Sequence, residues 1–336
     1  MMQPKAGIFD VAGLTLSEEE KTFYSGLDPL GFILFARNCE SPAQVAKLVA
    51  DLKALTGRED TFILIDQEGG RVARLKAPHW RKAPPAQHFA EIATQSIAEG
   101  RRSVYANGRL IARELNALGI NVNCVPLADV PVPGAHDVIG DRAFGEDPQQ
   151  VILLGDSMAR AMTDGGVLPV LKHIPGHGRA LVDSHLSLPV VDASLAELRQ
   201  TDFVTFKGLR HLPLGMTAHV LYNAIDDARP ATLSPKVISL VREEIGFEGL
   251  LMSDDLSMKA LKGTLADLTL ATLAAGCDVA LYCNIPLAEA KAAAAVLPPL
   301  NDKALERWHR ARSLLKAPVE FDYAEAERYL DRLATA

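Results

Sequence analysis

The residues best able to do chemistry fall in three short runs. Lys172-His173-Ile174-Pro175-Gly176-His177-Gly178 is followed, after Arg179–Val182, by Asp183-Ser184-His185, so three histidines and an aspartate lie within fourteen residues. The proline and glycines there argue for a loop and against a helix. Two residues apart in a loop, Asp183 can reach the His185 imidazole, raising its basicity and setting its tautomer. Such a histidine can give a proton to a departing oxygen and later take one from water. In the second run, Gly249–Asp254, an apolar strand ends on the carboxylates Asp254 and Asp255. Successive strand residues point to opposite faces, so Asp254 is expected to face inward and Asp255 to cap the next helix. In the third, Asp66 precedes Gln67-Glu68-Gly69-Gly70-Arg71-Val72-Ala73-Arg74. There a carboxylate could accept hydroxyl hydrogen bonds while an arginine holds it ionised. A carboxylate nucleophile facing a proton donor is the arrangement for retaining hydrolysis of a glycosidic bond. His173, His177, Asp183 and His185 could instead be zinc ligands, and a ligand-binding protein without catalysis is a further reading.

Elements of alternating type must position these groups. Strands are predicted at Ala6–Ala12, Gly31–Ala36, Thr61–Asp66, Asn121–Leu127, Leu168–His173, Gly215–His219, Gly249–Asp254 and Asp278–Cys283. Helical patterns cover Pro42–Leu55, Ala90–Leu118, Pro148–Asp164, Leu195–Leu209, Pro235–Ile245 and Leu265–Ala275. Ser41-Pro42, Asp147-Pro148 and Ser234-Pro235 each set a capping residue before a first-turn proline. Gly57, Gly165, Gly246 and Gly276 follow helical runs as C-terminal caps. Strand–helix alternation over eight units predicts an α/β fold, a (β/α)8 TIM-type barrel, with chemistry at the strand C-terminal ends. One catalytic domain over 1–336 is expected, with 302–336 as helices packed on it; Lys76–Gln87 reads as a surface loop. Arg142, in Ile139-Gly140-Asp141-Arg142-Ala143-Phe144-Gly145, follows the fourth strand, and His219 ends the sixth, at the mouth or in the core.

Composition bounds the function classes. With 48% hydrophobic and 23% charged residues the chain can bury a core. A net charge of −7 argues against a nucleic-acid partner. No apolar run approaches the roughly 18 residues of a membrane span, and no secretory leader is visible. Cys39, Cys124, Cys277 and Cys283 show no CxxC spacing and read as reduced, so a cytoplasmic location is expected.

Gly31–Asn38, Asp66–Arg74, Ile139–Gly145, Lys172–Gly178, Asp183–His185 and Ser253–Met258 together resemble glycoside hydrolase family 3. They resemble specifically its β-N-acetylglucosaminidase branch, which serves peptidoglycan recycling in Gram-negative bacteria. The KH-x-PGHG…DSH combination carries the resemblance, which spans most of the chain. It implies Asp254 as nucleophile, His185 as acid/base, and Asp183 as the histidine's partner on a mobile loop. Asp66, Arg74, Arg142, Lys172 and His173 would hold the N-acetylglucosamine (GlcNAc). The implied substrate is GlcNAc β-1,4-linked to 1,6-anhydro-N-acetylmuramic acid, peptide optional. No cofactor or metal is implied, and the chain is taken as a monomer.

Overall fold

In the computed structural model, which describes residues 3–335, parallel pairing carries the main strands around a closed barrel. These are β1 (Lys5–Phe9), β2 (Pro29–Leu34), β3 (Phe62–Ile65), β4 (Val122–Asn123) and β5 (Leu168–Ile174), then β7 (Leu214–Thr217), β9 (Leu250–Asp255) and β10 (Val279–Tyr282). They follow in sequence order and β10 pairs with β1, the (β/α)8 closure expected from the sequence. A separate parallel pair, β6 (Val190–Val191) and β8 (Leu221–Tyr222), was not anticipated.

Alternation along the strands divides the core in two. Ala6, Ile8, Phe62, Leu64, Leu168, Val170, Leu250 and Met252 fill the barrel interior. Phe9, Phe32, Ile63, Leu171, Leu251 and Tyr282 belong to the outer cluster beneath the helices. Strand residues two apart share a face, so the residue after each interior pair stays on the inward row.

The helices are α1 (Glu18–Leu27), α2 (Pro42–Thr56), α3 (Ala86–Gln95), α4 (Ile97–Ala117), α5 (Pro148–Asp164), α6 (Leu195–Gln200), α7 (Asp202–Gly208), α8 (Pro235–Leu240), α9 (Leu265–Ala275), α10 (Leu287–Ala294), α11 (Asp302–Arg312) and α12 (Tyr323–Thr335). Ser41, Asp147 and Ser234 cap α2, α5 and α8 through their side chains. Gly57, Gly246 and Gly276 end their helices in the left-handed conformation. Gly165 does not; Gly166 takes the positive φ of 78° instead.

Several predicted boundaries change for local reasons. The run Ala90–Leu118 is two helices because Ser96, extended at φ −155°, ends α3 and caps α4 through Glu99. Thr201 likewise divides 195–209 into α6 and α7. The helix at 235–245 widens into a π turn at Val241–Ile245. Strand 121–127 shrinks to β4 because the Asn121 and Asn123 amides take up the backbone groups of Thr61, Ile63 and Gln67 that a longer ladder would use. The loop at 76–87 is anchored by buried Trp80 and Ala83 and is not wholly superficial. All four cysteines are free, with Cys124, Cys277 and Cys283 buried.

One end of the barrel is stoppered. Leu300 donates its amide to the Pro4 carbonyl at the start of β1, and Ala304, Trp308 and Ala311 of α11 join the interior cluster. Helix α12 packs on α4 through Ala106, Leu110, Ala326 and Tyr329. Among the described residues no helix is long and apolar enough to cross a membrane. With α11 packed into that end, the open side of the barrel is the one where the strands end. Truncating the stopper, Trp308→Ala, should cost about 3–5 kcal/mol of stability, read as a lowered denaturation midpoint, because the indole lies 4% exposed in packed core.

Candidate active site

Where the inward rows run out of apolar residues, charges begin. Phe62 and Leu64 lead to Asp66, Leu168 and Val170 to Lys172, and Leu250 and Met252 to Asp254. Asp66, Arg74, Arg142, Lys172, His173, Asp183, His185 and Asp254 all line one cavity of about 370 Å³ at the open mouth. The sequence-predicted site residues are thus brought together without exception.

Two strands depart from strict alternation here. The register of β5 against β7 shifts between Leu171 and Ile174, and consecutive Lys172 and His173 both border the cavity. The register of β10 against β9 shifts between Val279 and Leu281, and Asp255 joins Asp254 at the cavity wall. That corrects the expectation that only one of this pair could face the mouth. Asp255 also caps no helix: its carboxylate accepts from the Ser257 amide at 2.9 Å and the Cys283 amide at 3.0 Å, forming a turn and a tie to the neighbouring strand. Burial pushes the Asp255 carboxyl up, to about 6.

The floor of the site is an ion-pair network. Lys172, 2% exposed, donates to Asp66 at 2.9 Å and to Glu68 at 2.6 Å. Arg74 closes on the other Asp66 oxygen at 3.0 Å, and Arg142 grips Glu68 through two bonds of 2.9 and 2.8 Å. Burial would raise the Asp66 carboxyl, but Lys172 and Arg74 outweigh it and hold it well below the usual range. Glu68 is likewise driven against burial, by Arg142 and Lys172, down to about 2. Burial would lower the Lys172 ammonium, and the two carboxylates more than reverse this. Glu68 is not among the expected site residues; the signal for it is its place two residues after Asp66 in the same run. Arg71 also lines the cavity but joins a different partner, Asp141 at 2.7 Å.

Asp129, just past β4 and fully buried, organises the histidines. One oxygen meets His173 Nδ1 at 2.7 Å; the other accepts the His177 amide at 2.7 Å. The Asp183–His185 pair forms as expected, Oδ1 to Nδ1 at 2.8 Å, with the imidazole 66% exposed at the cavity rim. Burial acts to raise Asp183, but the backbone and ring of His185 hold it lower. Asp254 accepts the Asp255 amide on Oδ1 at 2.8 Å, and among the described residues no group donates to its second oxygen. Against burial, His219 and His173 keep the Asp254 carboxyl below its ordinary value. His219 itself is core, bonded to Thr232 and to the Asp255 carbonyl, which settles its placement. The four residues weighed as zinc ligands do not converge: they pair with Asp129, Ser184 and one another, and no group of three or more His, Cys, Asp or Glu among the described residues could hold a metal.

A barrel closed at one end, with ionised carboxylates and an aspartate-held imidazole around a sugar-sized cavity at the other, has the build of a barrel glycoside hydrolase. The chain belongs to that class through glycosyl hydrolase family 3, whose N-terminal domain model matches residues 9–307. A β-hexosaminidase of Methylococcus capsulatus is 40% identical over 301 residues, 88% of this chain and 86% of that one. Native NagZ from Neisseria gonorrhoeae superposes with a TM-score of 0.89 at 30% identity, covering 100% of this chain and 99% of that one. NagZ of the same organism in complex with N-trifluoroacetyl-D-glucosamine gives 0.87 at 30% identity over 99% of both chains.

Removing Glu68 would leave buried Arg142 without a counter-charge and Lys172 with Asp66 alone. Glu68→Gln should lower stability by about 3–5 kcal/mol. Held at about 2 against an ordinary 4.5, Glu68 contributes stability that is full above pH 4.5 and is lost as pH falls toward 2. The wild type should therefore lose stability more steeply than Glu68→Gln across that window in denaturant titrations; parallel slopes would count against the ion-pair assignment.

Proposed function

We propose that the chain is a retaining exo-β-N-acetylglucosaminidase that releases terminal β-1,4-linked GlcNAc from 1,6-anhydro-N-acetylmuramic acid, with or without its peptide. Its coarser part, hydrolysis of β-N-acetylhexosaminides, is supported by family membership and by the β-hexosaminidase relatives. A GlcNAc-sized group in the cavity is supported by the N-trifluoroacetyl-D-glucosamine held by the gonococcal neighbour. The observation that carries the chemistry is that an ionised carboxylate with a free oxygen, Asp254, shares one cavity with the Asp183–His185 pair.

In this reading Asp254 attacks the anomeric carbon while His185, as imidazolium, protonates the leaving oxygen. Asp183 supports the charge that His185 carries in that step and fixes its ring. Water then displaces Asp254, with neutral His185 as base, and the β configuration is kept. Asp66, Arg74, Arg142, Lys172 and His173 grip the sugar; because Asp66 and Lys172 are already ion-paired, they present a rigid surface that needs no reorganisation on binding. The expected setting is cytoplasmic turnover of cell-wall fragments by a monomeric enzyme.

Asp254→Ala should cut turnover on the order of 10⁴-fold or more, and a slow-deglycosylating 2-fluoro glycoside should label Asp254. A label on another residue would overturn the nucleophile. His185→Ala should cost about 10²–10⁴-fold on 4-nitrophenyl β-GlcNAc. Activity should persist undiminished in EDTA; its loss would reinstate metal-dependent hydrolysis.

A further inference from the structure

The segment that carries His185 is held to the barrel at very few points. Between Leu181 and Leu188 only Ser184 is buried, and the apolar side chains Leu181 and Leu186 are 65% and 67% exposed. Apolar burial therefore does not hold the turn in place. Ser184 makes two ties. Its carbonyl accepts the Ala260 amide at 3.2 Å, and its hydroxyl meets His177 Nε2 at 3.1 Å.

His177 is itself firmly mounted. Its amide donates to Asp129 at 2.7 Å, its ring lies 5.7 Å from that of His173, and it is 3% exposed. The following Gly178 packs so closely on Val130 that an added Cβ would sit 1.9 Å from the Val130 carbonyl oxygen. The other ring nitrogen, Nδ1, is buried and meets no partner among the described residues. A second proton on the ring would therefore find no acceptor. Burial, with His173 beside it, brings the imidazole down to about 4. At neutral pH it is an uncharged ring with one useful nitrogen, directed at Ser184.

We propose that His177 and Ser184 are a positioning pair that sets the place of the acid/base histidine: the bond between them fixes the Asp183–His185 turn over the cavity. The inference rests on His185 being the proton donor, as proposed above. Neither residue of the pair exchanges a proton with substrate. Their contribution is to keep the His185 imidazole within reach of the glycosidic oxygen, and it matters only when that oxygen needs a proton to leave.

This dependence separates positioning from a general structural role. A 2,4-dinitrophenolate leaves without protonation, whereas the sugar alcohol of a β-1,4-linked GlcNAc disaccharide does not. The experiment measures kcat/KM on both substrates for the wild type and for His185→Ala, Ser184→Ala, His177→Ala, the Ser184→Ala/His177→Ala double variant and His177→Gln. Ser184→Ala and His177→Ala should each lose about 10-fold more on the disaccharide than on the dinitrophenyl glycoside. The double variant should be no worse than either single one, since one bond can be lost only once. His177→Gln, which sets an amide near the Nε2 position, should recover part of the loss. Dinitrophenyl activity reports that each variant is folded, and should Ser184→Ala not fold, the comparison of His177→Ala with His177→Gln carries the same test. Equal losses on both substrates, or losses that add in the double variant, overturn the pairing while leaving His185 in place as acid. If His185→Ala also loses equally on both substrates, the proton-donor reading fails first and the pairing falls with it.

Discussion

The buried ammonium of Lys172 is the constraint around which the mouth of the barrel is built. A cation 2% exposed and held within the barrel is costly to desolvate unless counter-charges meet it. Asp66 and Glu68, from the segment that follows β3, supply them at 2.9 and 2.6 Å. Those carboxylates in turn draw in Arg74 and Arg142, from the loops after β3 and β4. The charges thus fix the strand ends and also tie two loops to them. The result is a floor of polar groups oriented before any ligand arrives.

Strand alternation explains why this charge lies where it does. The inward rows are apolar up to Leu64, Val170 and Met252, and then each delivers one ionisable residue. Helix α11 stoppers the other end, so the interior has one polar face. Shifts of register in β5 and β9 add His173 and Asp255 to the wall, which regular alternation would have turned away. Asp255 then serves the backbone, holding the end of β9 to that of β10 beside Asp254.

Against this rigid floor the opposite rim is lightly held. Asp183 and His185 sit on a turn whose large apolar side chains face solvent. The base of the turn is secured by Gly178 against Val130 and by the Tyr222 hydroxyl donating to the Gly176 carbonyl. The site therefore sets a rigid, ion-paired floor beside an Asp183–His185 pair whose position depends on a few hydrogen bonds.

Much of this was legible from residue order. The eight-unit alternation, the proline-marked caps, the Asp183–His185 spacing and the apolar run ending at Asp254 are local patterns, and local patterns survive in a linear text. What was misread depended on competition between groups far apart in sequence. The asparagine amides shortened β4 by bonding to residues some sixty positions away, and Ser96 divided a helix whose apolar periodicity continues on both sides. Glu68 stood in plain view, but its partners Lys172 and Arg142 lie more than seventy residues on, so its role could be settled only in space. The same holds for Ser184, an unremarkable serine until folding buries it against His177. Sequence alone determined which residue types were on hand and which elements would carry them. Tertiary structure decided which charges neutralise one another and which bonds hold the turn, because burial and pairing are properties of neighbours in space.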